Sequence, residues 1–111
     1  MIKIINVNDN NFNKEVISNK GIVVVDCWAT RSEVCRFNAP VVYETAKAYK
    51  SIKFVKLNIE ENPYTVSNNN IKMAPCVIIY KKGNIEEIIL GVTDRKYLAQ
   101  KIGQANNIVR K

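Results

Sequence analysis

Ser32 and Cys35 stand three residues apart in WATRSEVCRFNAP, residues 28–40. Two thiols at that spacing, at the start of a helix, make a Cys-x-x-Cys dithiol suited to thiol–disulfide exchange. Here only the second sulfur is present. The residues alone leave two readings open. One is an exchange site whose first sulfur has become a hydroxyl. The other is an ordinary helix start, with Ser32 as N-cap, Glu33 near the positive end of the helix dipole and Cys35 as a small core hydrophobe. The chain contains no histidine, so no imidazole can activate the Ser32 hydroxyl or bind a metal. Asp26 is a second candidate, because it interrupts the apolar run GIVVVDCWA. A carboxyl group there is expected to be buried and its pKa raised by desolvation, with Lys56 or a buried water satisfying it.

Bulk properties narrow the classes of function. A chain of 111 residues with 47% hydrophobic and 24% charged residues is expected to form one domain, residues 1–111, around a single core. The net charge of +7 is spread along the sequence, without the clustered stripe of a nucleic-acid site, so no nucleic-acid partner is expected. No apolar run approaches the roughly 20 residues that cross a bilayer, and the first residues show no secretory h-region. A cytoplasmic protein with no membrane partner is therefore expected. Three cysteines, 27, 35 and 76, fit neither a zinc pattern nor a disulfide framework. They read as free thiols, with Cys27 and Cys76 packed in the core and neither metal nor cofactor expected.

Hydrophobic periodicity supplies the elements that would hold these groups. Lys3–Val7 reads as a short edge strand, and Asn8–Asn10 as caps for a helix in which Phe12 and Val16 share a face. The run after Gly21, β-branched and without alternation, reads as a central strand covered on both faces. Cys35, Ala39, Val42, Ala46 and Tyr49 form one apolar stripe on the next helix, which Pro40 should kink. Lys53–Ile59 is a third strand, residues 61–70 a short helix and loop, and Cys76–Leu90 a hairpin turning at Lys82-Gly83-Asn84. Thr93 or Asp94 caps a last helix with Leu98, Ile102, Ala105 and Val109 inward. The order βαβαβαββα gives an α/β fold, a central mixed sheet with helices on both faces.

With these segments in place the chain resembles the thioredoxin family along essentially its whole length. VVVDCWATRSEVCRFNAP is similar to that family's buried-Asp strand, Trp-Ala pair, active-site turn and Pro-kinked helix. KLNIEENP, APC, KKGN and LGV are similar to its third strand, cis-proline segment, hairpin turn and glycine loop. Three departures stand out: Ser32-Glu33-Val34-Cys35 where the family has Cys-Gly-Pro-Cys, Arg31 in place of a second tryptophan, and Cys76 in place of a threonine.

The resemblance implies a disulfide oxidoreductase that reduces protein disulfides, is recharged by thioredoxin reductase and works as a monomer. It implies that Ser32 occupies the position of the nucleophilic cysteine, making this chain a Cys-to-Ser variant that does not turn over. Cys35 would be the resolving thiol, able to form one mixed disulfide. Asp26 would transfer its proton, with Lys56 as partner of Asp26. Pro75 would be a cis-proline, with Ala74 before it pairing with a partner's extended chain. Trp28, Ala74, Pro75, Gly91 and Val92 would form an apolar docking patch around the turn, with Val34 in the turn and Arg31 and Glu33 adding charges to the rim. The alternative is a naturally redox-inactive module of the same fold that binds partners through this groove.

Overall fold

Strand β2, Ile22–Trp28, forms the centre of a five-stranded sheet. Every residue from Ile22 to Cys27 is buried, which explains why this run is β-branched on both faces rather than alternating. The computed structural model describes residues 3–107. Its sheet runs β1-β3-β2-β4-β5, with β1 at Ile5–Val7, β3 at Lys53–Asn58, β4 at Cys76–Lys81 and β5 at Asn84–Leu90. The pairs β1–β3 and β2–β3 are parallel, and β2–β4 and β4–β5 are antiparallel. The sheet is therefore mixed, and β1 lies at its edge.

Alternation along β2 sends side chains into two cores. Val23, Val25 and Cys27 join Phe12, Val16, Ile71 and Tyr80 on one face. Val24 joins Val42, Ala46, Leu98 and Ile102 on the other, beneath α1 (Asn38–Ala48) and α3 (Arg95–Asn106). Asp26, in phase with Val24, points to the α1 side. The helix after β1 is a single π-type turn, Asn13–Ile17, closed by Ser18 N–H donating to the Asn13 carbonyl at 2.8 Å. Asn8 Oδ1 accepts from the N–H groups of Asn10 and Asn11 at 2.8 and 3.0 Å, the local bonding that suits this residue type to a chain entering a helix. Phe12 and Val16 are both buried beneath it, Phe12 edge-on to Tyr80.

The hairpin turns on Lys82 and Gly83, with φ of 53° and 81°. Two successive positive φ values are what a two-residue hairpin linker needs. Asn84 already pairs with Lys81 and belongs to β5. Glycine is required at 83 for a second reason: a Cβ there would sit 2.4 Å from the Ile17 carbonyl oxygen. α2, Pro63–Asn68, starts on a proline, whose missing N–H costs nothing at that position. At α3, Asp94 is the cap: its Oδ1 accepts from Tyr97 N–H at 2.9 Å, and Leu98, Ile102 and Ala105 face inward. Val109 lies outside the described residues. No helix among the described residues is long and apolar enough to cross a membrane.

One part of the expected pattern is corrected. Ala39 is exposed, and Asn38, completely buried, takes its inward place. The cause is a change of helical type, because Glu33–Phe37 is a 3-10 turn leading into α1. At three residues per turn the inward residue after Cys35 is 38, not 39. Pro40, which has no N–H to offer the Arg36 carbonyl, lies just past this change of pitch.

Candidate active site

Three segments meet at one end of β2. The chain leaves that strand at Trp28, turns through Ala29–Arg31 and enters the 3-10 turn at Ser32. Ser32 N–H donates to the Ala29 carbonyl at 3.2 Å, and Cys35 N–H donates to the Ser32 carbonyl at 3.2 Å. Ser32 thus occupies the N-cap position with extended backbone, but its hydroxyl makes no capping bond. The expectation of a capping side chain is corrected: the tight 3-10 closure uses the Ser32 carbonyl and leaves its Oγ to the cavity in front of the turn.

That cavity, about 400 Å³, is lined by Ser32, Cys35, Trp28, Asp26 and Lys56 among others. It joins Ser32 and Cys35 to the buried carboxyl group of Asp26. Cys35 is 6% exposed, at the start of the buried helix face. Asp26 is 3% exposed, and its Oδ1 has no hydrogen-bond partner among the described residues. Burial pushes its pKa up to about 6, and the positive charge of Lys56 opposes that rise. Lys56 is the residue beside Asp26 in the parallel register of β2 and β3. The pair makes no direct ion pair, so Lys56 acts on the carboxyl group through space. A second opening of similar size reaches Asp26 and Lys56 past Ala39 and Pro40.

A polar network braces the turn from below. Thr30 N–H donates to Glu60 Oε1 at 2.8 Å, Asn58 Nδ2 donates to Thr30 Oγ1 at 3.2 Å, and Glu60 N–H donates to Asn58 Oδ1 at 2.9 Å. Arg31 projects almost wholly into solvent, its Nε 3.9 Å from Glu60 Oε2. Glu33 and Val34 are also exposed. The Trp28 indole N–H is buried without a partner among the described residues.

Across the turn the Ala74–Pro75 peptide bond is cis, with Ala74 half-buried and Pro75 buried. Gly91 N–H donates to the Pro75 carbonyl at 2.9 Å, so the loop after β5 is tied to this segment. Gly91 has φ of 81°, and Val92 beside it is 54% exposed. The partly exposed members of the expected apolar patch are therefore Trp28, Ala74, Gly91 and Val92, while Pro75 lies beneath them.

The Thioredoxin family model matches residues 3–104 of this chain. The chain belongs to the thioredoxin family. It is 38% identical over 95 residues to Thioredoxin 1 of Nostoc sp., covering 85% of this chain and 89% of that one. It is 36% identical over 97 residues to the thioredoxin of Pseudomonas aeruginosa, covering 86% and 90%. To the thioredoxin of Buchnera aphidicola subsp. Schizaphis graminum it is 36% identical over 109 residues, covering 97% and 90%.

The thioredoxin resemblance carried no expectation for Asn38, yet that side chain bolts the site together. Asn38 Nδ2 donates to the Gly91 carbonyl at 3.1 Å, and its Oδ1 accepts from Thr93 N–H at 2.9 Å. A fully buried amide with both ends bonded fixes the distance between the Cys35 helix and the Gly91–Val92 rim. The signal that could have found it is a polar residue in the inward phase once the first turn is read at 3-10 pitch. Replacing Asn38 with leucine should destabilise the fold by about 1–3 kcal/mol, since a loop carbonyl and a loop N–H lose their partner. Hydrogen exchange should speed up at the Thr93 amide while the amides of β2 keep their order of protection. An unchanged Thr93 rate would show that the loop does not depend on this clamp.

Proposed function

We propose that this chain is a thioredoxin-type protein-disulfide oxidoreductase in which Ser32 stands where the attacking cysteine belongs, a Cys-to-Ser variant of a Cys-Glu-Val-Cys site. The observation that carries the reading is the shared cavity: Ser32, Cys35, Asp26 and Lys56 line one space at the start of a helix. In the complete reaction a thiolate at position 32, favoured by the helix-terminal N–H groups, attacks a substrate disulfide and forms a mixed disulfide. Cys35 then attacks the sulfur at position 32 and releases the reduced substrate. Asp26, with an orphaned oxygen and a pKa raised to about 6, accepts the proton Cys35 gives up, and Lys56 steadies the resulting charge balance. Thioredoxin reductase would return the dithiol to its reduced form. Trp28, Ala74, Pro75, Gly91 and Val92, with Arg31, Glu33 and Val34 at the rim, receive the substrate chain, which pairs with the backbone beside Ala74. A single domain acting as a monomer in the cytoplasm completes this reading.

Ser32 leaves the chain with half of this chemistry. A serine hydroxyl does not enter thiol–disulfide exchange, so no internal disulfide with Cys35 forms and turnover stops. Cys35 can still exchange with a disulfide, forming one new S–S bond and releasing one thiolate. Offered a peptide activated as its nitrobenzoate mixed disulfide, the chain should hold that peptide on Cys35 until dithiothreitol releases it, and the Cys35→Ser protein should not. If peptide mapping finds no adduct on Cys35, the latent resolving thiol is ruled out.

One observation favours the second reading, a naturally redox-inactive binding module. Cys35 is only 6% exposed, whereas Val34 and Val92 at the rim are 47% and 54% exposed. A surface that offers apolar contacts but little sulfur suits docking without exchange. Retained partner binding in the Cys35→Ser protein, with no activity gained on restoring sulfur at position 32, would favour it.

A further inference from the structure

Cys27 and Cys76 lie directly opposite each other, as Cα partners on the antiparallel strands β2 and β4. Both are free thiols, 0% and 2% exposed, and both face the same core. Their side chains project from directly opposed positions into that one core. The position they share can be typed from the ladder. Gly91 N–H bonds the Pro75 carbonyl and Ile59 N–H bonds the Trp28 carbonyl. Backbone groups of the next residue along a strand point the opposite way, so Cys76 and Cys27 turn theirs toward each other. They are a hydrogen-bonded antiparallel pair, for which Cα atoms lie about 5.5 Å apart. Disulfides span Cα distances of about 4.4–6.8 Å.

We propose that Cys27 and Cys76 form a second dithiol in this protein, which hydrogen peroxide oxidises to a cross-strand disulfide independently of Cys35 and of position 32. The two thiols are not equivalent. The neighbouring Cys27 thiol holds the pKa of Cys76 down, while Cys76 beside it and deep burial push the Cys27 thiol well up. Cys76, though only 2% exposed, lines a groove of about 320 Å³ with Ile71, Lys72, Met73, Ile78, Ile88 and Leu90. A small uncharged oxidant fits that route.

The Cys76 thiolate attacks one peroxide oxygen, the O–O bond breaks, and the departing hydroxide takes up a proton as water. The resulting sulfenic acid is attacked by the Cys27 sulfur. The S–S bond forms, the S–O bond breaks, and the hydroxyl leaves as water with the Cys27 proton. Two thiols and one peroxide become one disulfide and two waters. Cβ atoms in such pairs lie toward the wide end of about 4.5–5.5 Å, while disulfides prefer about 3.5–4.5 Å. The bond therefore pulls the strands together and belongs to the strained, easily reduced class.

The test uses the native chain, exposed to hydrogen peroxide, quenched, then alkylated in denaturant and mapped as peptides. Alkylatable thiols at Cys27 and Cys76 should disappear together, replaced by one linked peptide that dithiothreitol separates. The Cys35→Ser protein should give the same link, and the Cys76→Ser protein should leave Cys27 fully alkylatable. The proposal is overturned if Cys27 and Cys76 stay alkylatable at peroxide exposures that oxidise Cys35. It is equally overturned if the link joins Cys35 instead, or arises only after the chain is unfolded in urea.

Discussion

Replacing Ser32 with cysteine should raise the rate of insulin disulfide reduction, with dithiothreitol as electron donor, by on the order of a thousandfold over the chain as it stands. The size follows from what is absent. Exchange requires a thiolate, and the Ser32 hydroxyl is no equivalent nucleophile toward a disulfide, in a chain that has no histidine to activate it. Cys35 cannot replace it, because a thiol 6% exposed reaches disulfides poorly and has no second thiol at position 32 to release them. The substitution itself should be well tolerated. Ser32 is half-buried and its side chain makes no capping bond, so a thiol displaces no existing interaction. Adding Cys35→Ser to the same protein should return the rate to background, since the mixed disulfide would then have no resolving thiol. A sulfur introduced at position 32 that changes the rate by less than about twofold would count against an exchange site.

Replacing Asp26 with asparagine should stabilise the protein by about 2–3 kcal/mol above neutral pH and by little at pH 4. Burial lifts the folded-state pKa of Asp26 from 3.8 to about 6. The folded chain therefore holds a proton that the unfolded chain has already released between about pH 4 and pH 6. Stability falls as pH rises through that window and stays lower above it. The difference is worth roughly 3 kcal/mol at 1.36 kcal/mol per pKa unit. Asparagine does not titrate, so it removes the window, although its amide still has to be satisfied in a site where Oδ1 has no partner. Urea midpoints at pH 4 and pH 8 measure this: the variant should gain at pH 8 alone. An equal change at both values would show that packing, not ionisation, sets the effect.

Much of this architecture was legible because it rests on periodicity. The unbroken run in β2 announced a strand covered on both faces, and Leu98, Ile102 and Ala105 announced the buried side of α3. Lys82-Gly83 announced a hairpin turn, and the structure narrows it to those two residues. What was hidden depended on pitch or on distance along the chain. One 3-10 turn shifted the inward phase from Ala39 to Asn38. Asn38 then finds its partners 53 and 55 residues away, which no local pattern reveals. Cys27 and Cys76 were each legible as core, but their pairing required the register of β2 against β4. At Ser32 the residue type promised a capping side chain, and the tight turn used its carbonyl instead.

If position 32 and Cys35 are the two sulfur positions of a single exchange site, mild oxidation of the Ser32→Cys protein should join them. After treatment with glutathione disulfide, alkylation and peptide mapping should find positions 32 and 35 joined in one disulfide that a dithiol reopens. If both thiols remain separately alkylatable in the folded protein, the two positions do not form an exchange site.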